Sequence, residues 1–336
     1  MRVLVTGAFG FVGTALVERL AAAGHGVRAL TSRALTSRAD GVGSGDDVGS
    51  SGYGDGDGGL EIVCGDVRDP EAMARAVRDV DGVCHLAALV RVREARERAA
   101  EYWAVNHGGA VTVAKAAAAE AARSGRPVRF VLASTGAVYG QPALQPIPED
   151  LPWQSTNDYG ETKRAAELDV LALADSGSPF GAVALRLFNV AGAVGGRTGD
   201  PDTIIPKTLA VARGALPALQ INGDGEAVRD FVHVRDVARA FESALGHVVP
   251  GRRAAFNVGA TGARVLDVVR TVREVTGRDV PVEHRPSRGE APMLLADTRR
   301  IRAELGWRPE RSDLHSLVAD AWAAMGGRRP ERAPGG

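Results

Sequence analysis

Gly7-Ala8-Phe9-Gly10-Phe11-Val12-Gly13 separates a short apolar run, Arg2 to Thr6, from a helical pattern carried by Leu16, Val17 and Leu20 to Gly24. Glycines at this spacing permit a tight turn, let the backbone approach a pyrophosphate and let the helix pack close to the strand. The helix N-terminus then offers amides and a positive dipole end to phosphate. Few other arrangements accommodate such a turn at the head of a chain, so Gly7, Gly10, Phe11, Val12 and Gly13 are the first cofactor-binding candidates. A purely structural turn is the alternative.

Val27 to Leu30 reads as a second strand. A site that selects NAD would carry Asp or Glu at its end, about 20 residues after the glycines, to bind the ribose 2′-hydroxyl. Here the chain runs Thr31-Ser32-Arg33. There is no acid, and Arg33 could accept a 2′-phosphate, so these residues leave the choice between NAD and NADP open. Residues 34–59 are Gly, Asp and Ser with few apolar side chains, which bury too little surface to offset the entropy of ordering them. A mobile loop is expected there.

Leu60 to Cys64 is the third strand, followed by Gly65-Asp66-Val67. Asp66, with Val67 beside it, either meets the adenine edge of a dinucleotide or caps the next helix. A helix over Pro70 to Val80 and a fourth strand over Gly82 to Leu86 lead to Ala87-Ala88. Small residues at that strand end let a cofactor lie against the backbone, adding Leu86, Ala87 and Ala88 to the candidates. Asn106 joins them from the helical region that follows. The Ala-rich stretch Ala110 to Ala122 has more apolar surface than one core-facing stripe requires, which points to a subunit interface. A fifth strand, Val128 to Ala133, delivers Ser134-Thr135. This alternation of strand and helix implies an α/β class: a Rossmann-type doubly wound parallel sheet with ligands at the carboxyl ends of the strands.

Tyr159-Gly-Glu-Thr-Lys163 leads into a helical run from Thr162 to Asp175. Four-residue spacing puts the phenol and the ammonium on one helix face, about one turn apart. A free tyrosine titrates near pH ~10, and a fixed cation beside it favours the phenolate by roughly 1.4 kcal/mol for each unit of lowering. Such pairs are common by chance. Behind a phosphate-cradling turn and a strand-end Thr135, this one reads as a hydride-transfer centre.

A sixth strand, Ala182 to Leu187, ends at Phe188-Asn189. Beyond it the character changes to short elements with Gly- and Pro-bearing connections: Thr203 to Ala212, Gln220 to Asn222, Asp236 to Leu245, Ala255 to Val258, Val265 to Thr276, Thr298 to Leu305 and Leu314 to Met325. The expected organisation is a dinucleotide-binding domain over 1–188, a smaller α+β substrate-binding lobe mainly over 189–326, and a disordered tail over 327–336. Segments within 229–259 are expected to return to the first domain.

Lys+Arg and Asp+Glu both number 41, so no basic excess recommends nucleic acid or an anionic membrane surface. Lys115, Lys163 and Lys207 are the only lysines. Cys64 and Cys84 lie in apolar runs and read as reduced, buried thiols; nothing indicates a disulfide framework or a metal site. With no signal-like start and no membrane-length apolar run, a cytoplasmic protein is expected.

The glycine turn, the Ser-Thr strand end and Tyr-x-x-x-Lys together resemble the extended short-chain dehydrogenase/reductase family. The chain is most similar there to galactose-type UDP-glucose 4-epimerases and their nucleotide-sugar relatives, through Leu185-Arg-Leu-Phe-Asn-Val-Ala-Gly-Ala193, the Gly223 to Asp236 segment with Val-Arg-Asp-Phe-Val-His, Phe256-Asn-Val-Gly259 and Leu305-Gly-Trp307. The resemblance implies that Tyr159 is the catalytic acid/base, that Lys163 is its electrostatic partner on the nicotinamide ribose, and that Thr135 bridges the sugar oxygen and the phenol. It places Asn189, Gln220, Asn222, Arg229, Glu290 and Leu294 around a UDP-sugar, with Arg229 on phosphate and Glu290 on the uridine ribose. It also implies a homodimer built on the Ala-rich and Tyr159 helices. Dehydratases of the family follow the Thr with an Asp-Glu pair; here Gly136 and Ala137 stand instead, so water elimination lacks its acid and base. Leu294 stands where galactose-type enzymes carry a bulky Tyr beside the sugar, which implies that an N-acetylated or otherwise enlarged hexose is tolerated. Val90 stands where a Lys is usual, and Arg288 is displaced by one from the usual Arg. The reaction that the resemblance implies is inversion at C4 of an NDP-hexose of the UDP-glucose/UDP-galactose type, through a 4-keto intermediate with bound NAD; an NAD(P)H-dependent carbonyl reductase and a non-catalytic dinucleotide sensor are the competing readings.

Overall fold

The computed structural model describes residues 1–32, 59–174 and 179–327. Arg33, most of the 34–59 stretch and residues 328–336 therefore lie outside the described residues.

The strands of the first half are β1 (Arg2–Thr6), β2 (Gly26–Thr31), β3 (Leu60–Cys64), β4 (Gly82–His85), β5 (Val128–Thr135) and β6 (Phe180–Leu187). Its helices are α1 (Phe11–Ala22), α2 (Pro70–Ala76), the short α3 (Val92–Ala95) and α4 (Ala99–Tyr102), a π-helical turn over Trp103–Gly109, α5 (Ala110–Ser124) and α6 (Asp158–Leu173). The second half supplies β7 (Asn189–Ala191), α7 (Ile204–Ala212), β8 (Leu219–Asn222), β9 (Val228–His233), α8 (Val234–His247), β10 (Arg253–Val258), β11 (Thr261–Arg264), α9 (Val265–Thr276), β12 (Val282–Arg285), β13 (Met293–Leu294), α10 (Arg299–Glu304) and α11 (Leu314–Ala324).

Seven strands form one parallel sheet in the order β10-β6-β5-β4-β1-β2-β3. Strands buried on both faces read as near-continuous apolar runs, and β6 is buried at seven consecutive positions from Phe180 to Arg186. One face is covered by α1 and α8, whose Leu16, Leu20, Val237 and Phe241 meet Val3, Val5 and Val131. The other is covered by α2, α5 and α6, where Met73, Val113, Ala117 and Val170 meet Leu4, Val83 and Phe130. A smaller lobe has its own core of α7, α9 and α11 against a four-stranded sheet around β9. β10 lies beside β6 in the main sheet, in register from Arg253 to Val258.

Three local expectations need correction. The helix at Pro70 is regular only to Ala76, because the chain turns through Asp79 at φ 58. The Tyr159 helix starts at Asp158, since the Asn157 side chain accepts from the Gly160 amide at 2.8 Å and caps it. Cys64 is exposed at the end of the outermost strand β3, whereas Cys84 is buried in the central β4; both are free thiols.

Candidate active site

The strand order reverses between β1 and β4, and a crevice outside the carboxyl ends opens at such a point. Thr6 and His85 pair there, so the two strands end level. The turn after β1 tolerates no side chains. Gly7 has φ +68, and a Cβ on it would lie 2.9 Å from the Ala87 amide nitrogen; one on Gly13 would lie 2.1 Å from the Gly7 carbonyl. Gly10 is the N-cap of α1 and contributes no side-chain bond to the first-turn amides, leaving them for a phosphate. Leu86, Ala87 and Ala88 follow β4 beside this turn, the first two held by Leu86 and Ala87 amides donating to Thr6 Oγ1 at 3.2 Å. Arg197 donates to the Phe9 carbonyl, and a Cβ on Gly199 would lie 3.1 Å from the Phe11 ring, so this loop lies over the turn. The cradle fits a dinucleotide pyrophosphate.

The other cofactor candidates are placed differently. Asn106 is fully buried in the π-helical turn. Its Oδ1 accepts the Leu89 amide at 2.7 Å, and its Nδ2 donates to the Leu89 carbonyl at 3.0 Å and to Thr162 Oγ1 at 3.2 Å. It ties the segment after β4 to the Tyr159 helix. Asp66 stands at the end of β3 with Arg68 wrapped on it, and that guanidinium holds its carboxyl below the usual range. Val67 is buried against Gly109, where a Cβ would lie 2.7 Å from its methyl. Thr31 closes β2.

Tyr159 occupies the first turn of α6, with Lys163 one turn on. Thr135 is the last residue of β5, and its hydroxyl beside the Tyr159 phenol favours the phenolate. Burial is stronger and pushes the phenol up to about 12, not down as the Tyr–Lys spacing alone suggests. Lys163 is only 3% exposed, and burial pushes its ammonium down to about 8 while Glu167 opposes the fall. The Tyr159 phenol is therefore neutral at neutral pH.

Sequence reasoning missed the buried network beneath this pair. Glu167 accepts from Ser134 Oγ at 2.5 Å and from Arg186 Nη2 at 2.7 Å. Arg186 also bonds the Tyr139 hydroxyl, which donates to Asn257 Oδ1 at 2.8 Å. The available signals were Glu167 four residues past Lys163 and a lone Arg186 inside an apolar strand.

Among the proposed substrate residues the lobe brings together four. Asn222 Nδ2 donates to Glu290 at 2.7 Å, Leu294 pairs with Arg229 across β13 and β9, and Arg229 Nη1 donates to the Ala291 carbonyl at 2.9 Å. Glu290 is held below the usual carboxylate range chiefly by the Arg288 amide; Arg229 is lowered by burial. Asn189 donates to the Asp230 carbonyl at 2.8 Å, next to Arg229, and Gln220 is exposed on β8. Leu294 and Phe188 also pack on the Val138, Tyr139 and Ile147 cluster that follows Thr135, which joins lobe and sheet edge. At position 136 a Cβ would lie 3.1 Å from the Phe188 ring, so that ring stands where a longer side chain would project.

Residues 3–259 match the model of the NAD dependent epimerase/dehydratase family. A UDP-glucose 4-epimerase of Corynebacterium glutamicum is 36% identical, the alignment covering 96% of this chain and 95% of that one. A UDP-glucose 4-epimerase from Brucella ovis, solved in complex with NAD, superimposes with a TM-score of 0.82 at 30% identity, covering 98% of this chain and 99% of that chain. Another, from Stenotrophomonas maltophila with bound NAD and formylated UDP-arabinopyranose, gives 0.83 at 30% identity, covering 97% and 98%.

Proposed function

The chain belongs to the NAD dependent epimerase/dehydratase family, and we propose that it is a nucleotide-sugar 4-epimerase that inverts C4 of a UDP-hexose, with UDP-glucose and UDP-galactose as the reference pair. The observation that carries this reading is the Thr135–Tyr159–Lys163 set at the carboxyl edge of the sheet, next to a glycine cradle without room for a Cβ. Gly7, Gly10 and Gly13 and the α1 amides would hold the pyrophosphate of NAD, and Lys163 its nicotinamide ribose. When bound, NAD supplies a hydride acceptor and donor and a positive charge on the oxidised nicotinamide ring.

Tyr159 exchanges the proton of the sugar 4-hydroxyl, with Thr135 fixing the line between phenol and sugar oxygen. A cation brought beside a desolvated phenol stabilises its anion, so the neutral Tyr159 of the ligand-free chain becomes a base in the loaded site. Arg229, Asn189 and Glu290 anchor the nucleoside diphosphate while the 4-keto sugar turns over between the two hydride transfers. Arg229 suits phosphate as a planar, persistent cation. Residues 1–188 bind the dinucleotide and 189–326 mainly the sugar nucleotide, with β10 returning to the first sheet. Gly136 and Ala137 supply no acid or base for elimination.

Leu294 packs beside Val138 and Tyr139; as a smaller side chain than Tyr it would tolerate an N-acetyl group on the sugar. Trp103 and Leu168, 41% and 46% exposed on the π-helical turn and α6, support a homodimer through the α5–α6 face. Among the described residues no helix is long and apolar enough to cross a membrane; with two free thiols this fits a reducing cytoplasm. Incubation with UDP-glucose, UDP-N-acetylglucosamine and UDP-glucuronate, products resolved chromatographically, is expected to give the 4-epimer of at least one without added reductant. Stoichiometric consumption of NADH or NADPH with no epimer formed would overturn the reading in favour of a reductase.

A further inference from the structure

We propose that Glu167 is a positioning residue of the reaction centre, one buried carboxylate that sits one helical turn from Lys163 on the same buried face and holds the end of the strand carrying Thr135. The proposal rests on the epimerase reading only for what Lys163 and Thr135 do in turnover.

Glu167 is fully buried, one helical turn beyond Lys163 and two beyond Tyr159, so all three lie on one face of α6. Its Oε2 accepts a hydrogen bond from the Ser134 hydroxyl at 2.5 Å, fixing the residue next to Thr135. Its Oε1 takes Arg186 Nη2 at 2.7 Å and Nε at 3.0 Å. Arg186 cannot drift from this place. Its Nη1 donates to the Glu149 carbonyl at 2.7 Å, and its guanidinium lies over the Tyr139 and Trp153 rings, 5.1 and 5.0 Å from their centres. Asn257 closes the far side, its Oδ1 accepting from the Tyr139 hydroxyl and its backbone N–H donating to Glu149 Oε1 at 2.9 Å.

One carboxylate therefore faces two cations. Arg186 is a fixed pair partner; Lys163 is the cation turnover needs. From β4, His85 also faces Lys163. Thr6 Oγ1 already accepts two amides, so its hydroxyl proton goes to His85 Nδ1 at 3.0 Å, and the ring is neutral, pushed down to about 3 by burial and by Lys163. From α6 itself come the neutral Tyr159 and Glu167; from β6, Arg186. Glu167 is thus the negative charge that opposes loss of the Lys163 proton in a site that burial makes hostile to it. An apolar residue could replace the Arg186–Glu167 pair as packing. It could not keep Lys163 charged.

Three lysines in the whole chain make Lys163 directly observable. Apoprotein labelled with carbon-13 at the lysine ε-carbon is titrated by NMR, with Lys115→Arg and Lys207→Arg assigning the other two signals. In the wild type Lys163 is expected to titrate near pH about 8. Glu167→Gln lowers that midpoint by about one pH unit, whereas Arg186→Met, which leaves the carboxylate with no rival cation, does not lower it. Should Glu167→Gln not fold because Arg186 is left unpaired, Arg186→Met is compared with Arg186→Met/Glu167→Gln, and the double variant has the lower midpoint. Equal midpoints with and without Glu167 overturn the proposal. The titration is read without cofactor or sugar, so its outcome stands apart from whether the chain epimerises UDP-hexoses.

Discussion

Tyr159 and Lys163 show how burial and catalysis pull one residue pair in opposite directions. The site desolvates both groups, raising the phenol to about 12 and lowering the ammonium to about 8. Tyr159→Phe removes only the exchangeable proton, so kcat is expected to fall about a hundred- to ten-thousandfold while NAD titration is nearly unchanged. A variant that keeps more than a few per cent of the rate contradicts the assignment. Lys163 carries a stability cost as well. Its folded-state pKa lies below the ordinary 10.5, so stability rises with pH between about 8 and 10.5, where only the unfolded chain still holds the proton. Lys163→Met should therefore stabilise the apoprotein at pH 7 by roughly 1–3 kcal/mol, with the gain vanishing near pH 10. Urea melts at the two pH values check this. The Tyr–Lys spacing was legible in the sequence because both lie on one helix. Glu167 and Arg186 were not, since their pairing depends on β6 lying next to β5 beneath that helix.

At the scale of elements, the glycine turn and the first strand–helix unit could be read almost residue by residue, since each glycine answers a local steric demand. Gly13→Ala forces a methyl to within 2.1 Å of the Gly7 carbonyl. Overpacking of that kind costs about 1–3 kcal/mol, and here it also opens the cradle. Isothermal titration is expected to show NAD affinity reduced more than tenfold; undiminished affinity would mean the turn is structural only. α6 begins at Asp158, a turn before the expected Thr162, because Asn157 caps it, and Asn followed by an acidic first turn is a signal legible in the sequence. Asn157→Ala should lower stability by about 0.5–2 kcal/mol, measured by thermal melting, and loosen Tyr159 in the first turn. Asn106 and Asp66 show the limit of motif reading. Their positions follow from the chain pattern, but their hydrogen bonds to Leu89, Thr162 and Arg68 arise only in the folded molecule.

For the whole molecule, the sheet order and the lobe bring Thr135, Tyr159 and Arg229 from three separate parts of the chain toward one edge. The lobe was visible as a change of rhythm after Phe188. Its pairing of β13 with β9, and of Ile147 with Leu295, was not, because a two-residue strand carries no period. The exposed Trp103 and Leu168 predict that Trp103→Glu/Leu168→Glu gives a monomer in light scattering while the fold is retained; an unchanged mass relocates the interface. The central claim is that hydride leaves C4 and returns to the same carbon without meeting solvent. UDP-glucose deuterated at C4 tests it in one measurement. The account predicts UDP-galactose, with C4 inverted, that retains the deuterium in ordinary water with no added reductant, and the same retention for a C4-deuterated UDP-N-acetylglucosamine or UDP-glucuronate where that is the sugar turned over; an epimer that has exchanged its label with solvent, or no epimer from any of the three, would contradict it.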